Sequence, residues 1–359
     1  MISSQGRNTV SKKVLDWYYH KNYNFPWRNI RDPYSIWLSE VMLQQTRVST
    51  VLPYYKRWLS ALPDIMSVSK TDIDIILKLW EGLGYYSRAR NFHKACQIIM
   101  TKYDGNIPEI PFEFLKLPGV GPYISSAVMS IAFNLPLPTI DGNAVRVISR
   151  LYSIDLAYPK SKKQIFSFLS QLINHNNPGD FSQAVMDLGR EICTASNPSC
   201  NICPIYNYCN AYVSNSVNKY PIRLKKKIKP HFNVAVGVIW WGNKILVSKR
   251  RESGLLAGLW EFPGGKIKTG ETSKDCVFRK VREELGVLVK PVSFIKQVKH
   301  SYTHLSISID AYHCHFMEGS PRAIGCAEWR WILPENIDAL VFPASCHRLF
   351  ESIKKRGGV

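Results

Sequence analysis

Four cysteines lie within a stretch of 17 residues and are separated by six, two and five residues: Cys193, Cys200, Cys203 and Cys209. Thiolates this close in sequence can converge on one metal centre, and the two-residue gap lets two of them bind from a single tight turn. Zinc sites usually combine two separate Cys-x-x-Cys pairs. One such pair with two looser spacings is more typical of a cubane iron–sulfur cluster. The spacing therefore favours a [4Fe–4S] ligand set over zinc or over four buried cysteines.

A short stretch rich in proline and glycine, Leu117–Tyr123, lies between two segments with helical patterns. Gly119 and Gly121 permit positive φ angles and leave backbone N–H groups uncovered. Such groups at the start of a helix form an anion site. We interpret the stretch as a phosphate-binding turn, and the alternative is a plain turn between two helices.

The cysteine spacing and the Leu117–Tyr123 stretch resemble those of the endonuclease III superfamily of DNA glycosylases. There the turn forms a helix–hairpin–helix motif that holds a DNA phosphate without reading sequence. About twenty residues further on, Asp141 lies in the stretch 138–143. Its position is similar to that of the superfamily's essential aspartate, which follows a loop rich in glycine and proline.

Removal of a base from DNA needs a carboxylic acid that protonates the base and a carboxylate that stabilises the positively charged sugar. Glu40 lies among mostly apolar neighbours, and taken alone it would more often be a helix charge facing solvent. The stretch 37–48 closely resembles the catalytic segment of the adenine DNA glycosylase (MutY) family. This resemblance implies that Glu40 protonates adenine N7 and later helps to activate water, and that Asp141 stabilises the sugar.

Tyr123 bears on the type of glycosylase. Superfamily members that also cut the DNA backbone carry a lysine at this position, which forms a Schiff base with the sugar, and a tyrosine cannot do so. Lys116 precedes the hairpin and does not replace that lysine. We therefore expect a monofunctional enzyme, or one with weak lyase activity, in which Tyr123 belongs to the catalytic set and Asn143 orients Asp141.

The family resemblance also assigns residues that extrude and hold the base, since a base must leave the stack before it can react. The stretch 82–88 resembles the segment that wedges into the duplex, with Tyr85 at the intercalating position and Gln45 at a nearby helix-filling position; core packing is the alternative for Tyr85. Tyr23 stands where the family has a pocket arginine, so that contact is not expected. The predicted base pocket comprises Trp27, Arg28, Leu43 and Gln183.

The C-terminal part contains a degenerate NUDIX box that runs from Gly265 to Val287. Lys280 stands where a working box has a metal-binding glutamate, beside the two that remain, Glu283 and Glu284, so phosphohydrolase activity is not expected. In the adenine glycosylase family this domain reads 8-oxoguanine opposite the target adenine. The family's reading loop is Phe-Ser-His, and the resemblance aligns it with Tyr302, Thr303 and His304.

The elements that must position these residues change type along the chain. Asp32 and Pro33 predict a helix start, and Pro53 is expected to end that helix. After residue 231, strand-like runs at 234–239 and 244–249 predict a hairpin. A helix over 272–285 should stop at Gly286. Further helices are expected near 71–81, 87–103, 122–133, 143–152, 161–174 and 180–193.

Composition and charge narrow the class of protein. The 359 residues carry 47 Lys and Arg against 27 Asp and Glu, a net charge of +20 that favours a polyanionic partner. There is no apolar run long enough to span a membrane and no secretory signal, so we expect a cytoplasmic protein. Nine cysteines are too few for a disulfide scaffold, and the five outside the cluster are expected to pack in cores.

These observations predict a multi-domain fold. An all-α helix–hairpin–helix glycosylase domain (1–212, hairpin near 111–133, cysteines 193–209) precedes a basic linker (213–230) and an α+β NUDIX-like domain (231–359). The predicted function is removal of adenine mispaired with 8-oxoguanine or guanine in double-stranded DNA by a monomer. The alternatives are an endonuclease III-like glycosylase/lyase, a nucleotide phosphohydrolase, and a lesion-binding protein whose catalysis has decayed.

Overall fold

The computed structural model describes residues 2–224 and 228–357. Lys225, Lys226 and Lys227 of the predicted basic linker lie outside the described residues. The chain folds into two compact units, and we describe each by itself. The helical unit comprises Met1–Lys70 and Asn91–Lys226, and the sheet unit comprises Thr71–Arg90 and Lys227–Val359. The segment 71–90 thus groups with the sheet unit, although it lies within the range predicted for the glycosylase domain.

Helices account for nearly all regular structure before residue 220, and the strands follow residue 230. In chain order the helices are α1 Ser4–Lys21, α2 Pro33–Leu43, α3 Val48–Ala61, α4 Ile65–Lys70, α5 Ile73–Trp80, α6 Ser87–Lys102, α7 Pro111–Leu115, α8 Pro122–Ile131, α9 Gly142–Leu151, α10 Lys162–Leu172, α11 Pro178–Glu191, α12 Asn210–Val213, α13 Ser273–Leu285 and α14 Ala344–Gly357. The strands are β1 His231–Trp241, β2 Lys244–Lys249, β3 Trp260–Glu261, β4 Gly264–Lys266, β5 Leu288–Ser301, β6 Ser306–Glu318 and β7 Glu328–Ile332. Within the described part of the chain, none of the helices is both long and apolar enough to cross a membrane.

Helix α2 begins where the sequence predicts and ends earlier than expected. The Asp32 carboxylate caps it by accepting hydrogen bonds from two backbone N–H groups of the first turn, at 3.4 and 2.9 Å. The prediction that the helix runs to Pro53 is wrong. Helix α2 ends at Leu43, and Gln45, in the turn that follows, adopts a φ of +56°. Pro53 lies in the second turn of the next helix, α3. Apolar spacing continues across the break, so periodicity alone does not reveal it.

The helical unit has two cores. Large aromatic side chains of α2, α3 and α6, among them Trp37, Trp58 and Phe92, are almost fully buried against one another. A second cluster joins α1, α9, α10 and α11. Each fully buried side chain of this size contributes roughly 1.5–3 kcal/mol or more to folding. The two cores therefore fix the helices that carry Glu40 and Asp141.

The helix–hairpin–helix consists of α7, the turn that follows it, and α8. Gly119 has a φ of +78°, and a Cβ there would lie 2.8 Å from the Cβ of Asn91. Gly121 has a φ of −95°, and a Cβ there would meet nothing within 4 Å. Only the first glycine is therefore required by the backbone and its packing.

The sheet unit is built around a mixed sheet with the strand order β3-β2-β1-β6-β5, with β4 paired to β1 and β7 to β2. The predicted hairpin is present, with Trp241 opposite Lys244, and β1 runs parallel to β6. Alternate residues of β1 face opposite layers. Ala235 and Ile239 pack in the cluster that contains α13, whereas Val238 and Trp240 pack in the cluster that contains α14.

Helix α13 ends at Gly286, as its sequence predicts, and Gly286 adopts the left-handed conformation. At its start Thr272, which was expected to belong to the helix, instead caps it by accepting a hydrogen bond from the backbone of Asp275. The five cysteines outside the predicted ligand set are all buried, in agreement with the expectation that they pack in cores: Cys96, Cys276, Cys314, Cys326 and Cys346.

Gly119 and Gly121 give a matched test of the hairpin. We expect Gly119→Ala to lower the free energy of unfolding by about 1–3 kcal/mol, since an alanine there is strained at positive φ and its methyl group meets Asn91. Gly121→Ala should stay within about 0.5 kcal/mol of the parent protein. Urea denaturation of both variants measures this, and equal losses would contradict the described turn.

Candidate functional site

Glu40 lies on α2 and is 6% exposed. Tyr123, in the first turn of α8, donates a hydrogen bond from its hydroxyl to Oε2 of Glu40 at 2.5 Å. Burial raises the pKa of Glu40, and this effect outweighs the opposing influence of the Tyr123 hydroxyl and of the Arg28 charge. The site therefore favours a carboxyl group that keeps its proton to a higher pH than a solvent-exposed glutamate does.

Asp141 occupies the cap position of α9. Its Oδ1 accepts a hydrogen bond from the Ala144 N–H at 2.6 Å, and its Oδ2 accepts one from the Asn143 side chain at 2.8 Å. Burial raises the pKa of Asp141, and these hydrogen bonds oppose that rise by stabilising the ionised form. The negative charge of Asp141 in turn raises the pKa of Glu40. The two carboxyl groups thus interact, and protonation of Glu40 relieves the repulsion between them.

Arg28 brings a buried positive charge to the same region. Its guanidinium donates hydrogen bonds to the side chain of Gln183, to the Tyr18 hydroxyl at 2.9 Å and to the Asp187 carboxylate at 2.9 Å. The Arg28 and Asp187 side chains are 8% and 4% exposed, so each charge depends on the other for compensation. The structure therefore joins two predicted pocket residues, Arg28 and Gln183, through side-chain contacts.

The other two predicted pocket residues are Trp27, next to Arg28 in the chain, and Leu43. Trp27 is buried, packs edge-on against Tyr55 at a centroid distance of 5.1 Å, and stacks on Phe25. Leu43, the last residue of α2, is half-buried. Tyr23, which stands where the family has an arginine, lies beneath the guanidinium of Arg190.

Sequence reasoning missed three charged residues that hold this region together. Asp187 lies one turn after Gln183 on α11, and this i, i+4 spacing was the available signal. Arg146 donates to the Asn143 side chain at 2.7 Å and to the Cys193 carbonyl at 2.6 Å. Arg150, also on α9, is only 2% exposed. The spacing of Asn143, Arg146 and Arg150 places them on one face of the helix.

The four clustered cysteines line one cavity of the helical unit together with Arg150 and Ile192. Burial raises the pKa of Cys203 to about 12, and the charges of the other three cysteines act in the same direction. Among the described residues, no group of three or more His, Cys, Asp or Glu side chains is arranged so that it could hold a single metal ion. In a cubane cluster each thiolate binds a different iron, so four thiols around a shared cavity fit that cofactor.

Arg150 ties the cysteine loop to α9. Its guanidinium donates to the Thr194 carbonyl at 2.7 Å and contacts the Cys193 sulfur at 3.3 Å. It also donates to the carbonyls of Val217 and Tyr220, at 3.2 and 3.1 Å. Tyr220 lies within the predicted linker, yet it is buried. The first part of that stretch is therefore held against the helical unit.

In the sheet unit, Tyr85 meets the predicted reading loop. The Tyr85 hydroxyl hydrogen-bonds to that of Thr303, and both residues line a cavity of about 450 Å³. Tyr302 and His304 line the same cavity. Thr303 and His304 are exposed, and Tyr302 is half-buried. The remaining predicted DNA contact, Gln45, is exposed in the turn between α2 and α3.

The degenerate NUDIX helix α13 has its carboxylates paired with cations. Lys280 lies 2.8 Å from Glu284 and 3.3 Å from Glu283. Arg279 contacts Glu271 at 2.5 Å and Glu283 at 3.2 Å. The ammonium group of Lys280 thus lies where the two remaining carboxylates would hold a divalent cation.

Comparison with known proteins agrees with this geometry. The HhH-GPD superfamily of base excision DNA repair proteins matches residues 38–175, the iron–sulfur binding domain of endonuclease III matches 193–209, and the NUDIX domain matches 235–352. An adenine DNA glycosylase from Buchnera aphidicola subsp. Baizongia pistaciae is 34% identical over 299 residues, which cover 83% of each chain. The chain belongs to the adenine DNA glycosylase family.

Further relatives support this membership over nearly the full length. The adenine DNA glycosylase of Buchnera aphidicola subsp. Acyrthosiphon pisum is 31% identical over 96% of this chain and 97% of its own. The solved structure of a thermostable thymine-DNA glycosylase superposes with a TM-score of 0.54 and 28% sequence identity. The match covers 58% of this chain and 97% of that one. The chain is therefore a DNA glycosylase of base excision repair with a [4Fe–4S] cluster and a NUDIX domain, and the predicted fold class is confirmed.

The role of Arg150 can be tested through stability and iron content. We expect Arg150→Met to lower the free energy of unfolding by at least about 3 kcal/mol, because one buried and two partly buried carbonyls lose their donor. Iron content should fall with it as the cysteine loop loosens. Arg223→Met is the matched control, since Arg223 is exposed and makes a single 3.4 Å contact with the Ala195 carbonyl. Unchanged iron and stability in Arg150→Met would contradict this role.

Proposed function

We propose that this enzyme removes adenine mispaired with 8-oxoguanine, and with guanine, from double-stranded DNA by hydrolysis of the N-glycosidic bond. The observation that carries the proposal is the buried Glu40 carboxyl, whose pKa is raised by burial and which receives a hydrogen bond from Tyr123. Membership of the adenine DNA glycosylase family supports adenine as the base.

In the first step, protonated Glu40 donates its proton to N7 of the extruded adenine. The bond between adenine and the sugar then breaks, and the bonding electrons leave with the base. Without this proton, adenine is a poor leaving group, so the raised pKa of Glu40 has a direct chemical purpose. Tyr123, as a hydrogen-bond donor, keeps one carboxyl oxygen engaged and orients the group.

In the second step, ionised Asp141 stabilises the positive charge that develops on the sugar. The Glu40 carboxylate, having lost its proton, accepts one from a water molecule whose oxygen bonds to the sugar carbon. Hydrogen bonds from Asn143 and the Ala144 N–H favour the ionised form of Asp141 and fix its orientation. The two carboxyl groups thus divide the work of acid and electrostatic stabiliser, as in glycoside hydrolysis.

Tyr123 favours a glycosylase without strong lyase activity. An endonuclease III-like glycosylase/lyase needs an amine at this position to form a Schiff base, and a phenol cannot form one. The hydroxyl of Tyr123 is moreover engaged with Glu40. The product is therefore an abasic site with an intact backbone.

Recognition of the mispair is assigned to two groups of residues. Gly119 and Gly121 hold a DNA phosphate at the start of α8, and Gln45 and Tyr85 fill the duplex where the base leaves it. Tyr302, Thr303 and His304 read 8-oxoguanine. Their common cavity with Tyr85 supports a joint role in reading and wedging. All these groups belong to one chain, so we assign the activity to a monomer.

Base release from defined duplexes tests the proposal. We expect rapid release of adenine opposite 8-oxoguanine, slower release opposite guanine and none opposite thymine, measured in single turnovers. Glu40→Gln should reduce the rate by at least about 100-fold because the proton donor is lost. Tight, salt-sensitive DNA binding without base release would instead indicate a lesion-binding protein.

The pH dependence tests the role of Tyr123. Release requires protonated Glu40, so the rate should fall as the pH rises through the pKa of Glu40. The Tyr123 hydroxyl lowers that pKa, so Tyr123→Phe should move the fall to higher pH. Tyr152→Phe is the control, since it removes a buried phenol hydroxyl that has no hydrogen-bond partner in the described structure. A shift toward lower pH in Tyr123→Phe would contradict the proposed proton donor.

A further inference from the structure

The segment that carries Tyr85 is built into the sheet unit. Residues Thr71–Arg90 belong to the same compact unit as Lys227–Val359, although the two stretches are distant in sequence. At the start of α5, Asp74 accepts two hydrogen bonds from the Lys249 ammonium, both at 2.8 Å. At the end of the segment, Arg90 donates to the Ala257 carbonyl. The wedge segment is thus attached at both ends.

Glu81, directly after α5, attaches the segment to the C-terminal part of the chain, and both of its carboxylate oxygens have hydrogen-bond partners. One carboxylate oxygen accepts from the Phe342 N–H at 3.1 Å and lies 3.0 Å from Nε2 of His347, and the other accepts from Lys78 at 2.5 Å. The side chain is 13% exposed. Burial raises the pKa of Glu81, and the hydrogen bonds outweigh it, so the pKa lies below its usual value. Glu81 is therefore an ionised group held by the C-terminal part of the chain.

The loop after Glu81 needs such support. Gly82, Gly84 and Tyr85 have φ angles of +101°, +70° and +47°. A tyrosine in the left-handed region is strained, and it stays there only when its surroundings impose the conformation.

Hydrogen bonds make the loop continuous with the end of α5. Nε1 of Trp80 donates to the Gly84 carbonyl at 3.0 Å, and the Gly82 N–H donates to the Tyr86 hydroxyl at 3.3 Å. The Arg88 guanidinium donates to the Gly84 carbonyl at 3.2 Å. A displacement of Glu81 would therefore be transmitted to Tyr85.

The groups that hold Glu81 adjoin the reading loop's cavity. Pro343 and Ala344, which follow Phe342, line the cavity together with Tyr302, Thr303 and Tyr85. The short stretch 342–344 thus both donates a hydrogen bond to Glu81 and forms part of the cavity wall.

We propose that Glu81 is a positioning residue that fixes Tyr85 against the reading loop, so that the preference for adenine opposite 8-oxoguanine over adenine opposite guanine depends on it. The inference rests on the proposed function and goes beyond it, because Glu81 touches neither the base nor the reading residues. Its loss brings the rate opposite 8-oxoguanine down toward the rate opposite guanine.

His347 gives this role a pH signature. The groups that face the His347 imidazole are Glu81 and Lys78 of the wedge segment, the Phe342 carbonyl and the ring of Phe350. The hydrogen bond with Glu81 raises the pKa of His347 above its ordinary value. The contact is an ion pair below that pKa, and above it a neutral imidazole faces the Glu81 carboxylate. The preference for 8-oxoguanine should therefore decline as the pH rises through the pKa of His347, and this component should vanish in His347→Gln.

The experiment compares single-turnover adenine release opposite 8-oxoguanine and opposite guanine in the full-length enzyme. Glu81→Gln keeps the shape of the side chain and removes its charge, and we expect the ratio of the two rates to fall about tenfold. His347→Gln should lower the ratio in the same direction and serves as the second variant should Glu81→Gln fold poorly. Lys354→Met is the matched control, since it removes an exposed ion pair with Asp338 in the same unit and should leave the ratio unchanged.

Thermal unfolding of each variant separates positioning from stability. A lowered ratio in variants that retain the parent melting temperature supports the proposal. An unchanged ratio in both Glu81→Gln and His347→Gln overturns it, whether or not the melting temperature falls. If the parent enzyme itself releases no adenine, the proposed function fails, whereas normal release by the parent with unchanged variants refutes only the role of Glu81.

Discussion

The proposed reaction depends on a carboxyl group that keeps its proton inside the protein. Burial of Glu40 raises its pKa, but the nearby Arg28 guanidinium opposes that rise. Asp187 resolves the conflict because it pairs with Arg28 at 2.9 Å and its own charge raises the pKa of Glu40. The charge of Asp187 therefore counteracts the effect of the Arg28 charge on the pKa of Glu40. The Tyr123 hydroxyl holds one oxygen of the Glu40 carboxyl and lowers its pKa more than Arg28 does, but burial outweighs both influences.

Besides α2, which carries Glu40, two short elements position the groups of the proposed site. The hairpin turn, in which Gly119 has a positive φ, leads into helix α8. Tyr123 lies at the start of this helix. Helix α9 begins with the carboxylate of Asp141, and one face of it continues through Arg146 and Arg150 to the backbone of the cysteine loop. The cysteine loop thus packs against the helix whose cap residue is Asp141, the carboxylate proposed to stabilise the sugar. A defect in the cofactor site would loosen that helix as well as the loop.

Spacing along the sequence predicted those parts of the structure that are formed by neighbouring residues. The cysteine loop, the hairpin and the end of α13 at Gly286 each occupy a few consecutive residues, so their chemistry is visible in the sequence. Asp187 and Arg150 were missed because their partners lie far away in the chain, and a lone charge in a helical pattern looks like a solvated one. Pro53 was wrongly predicted to end a helix, because a helix tolerates the loss of one backbone hydrogen bond when tertiary packing holds the helix in place. The attachment of residues 71–90 to the sheet unit is likewise a long-range property that no local pattern carries.

The helix of the degenerate NUDIX box, α13, carries cations that compensate for its remaining carboxylates. Carboxylates this close together would repel one another unless cations neutralised them. Here Arg279 and Lys280 pair with all of them, namely Glu271, Glu283 and Glu284. The substitution at position 280 therefore does more than delete a ligand. It exchanges a mobile divalent cation for a fixed ammonium group, so the charge balance of this face no longer depends on metal concentration.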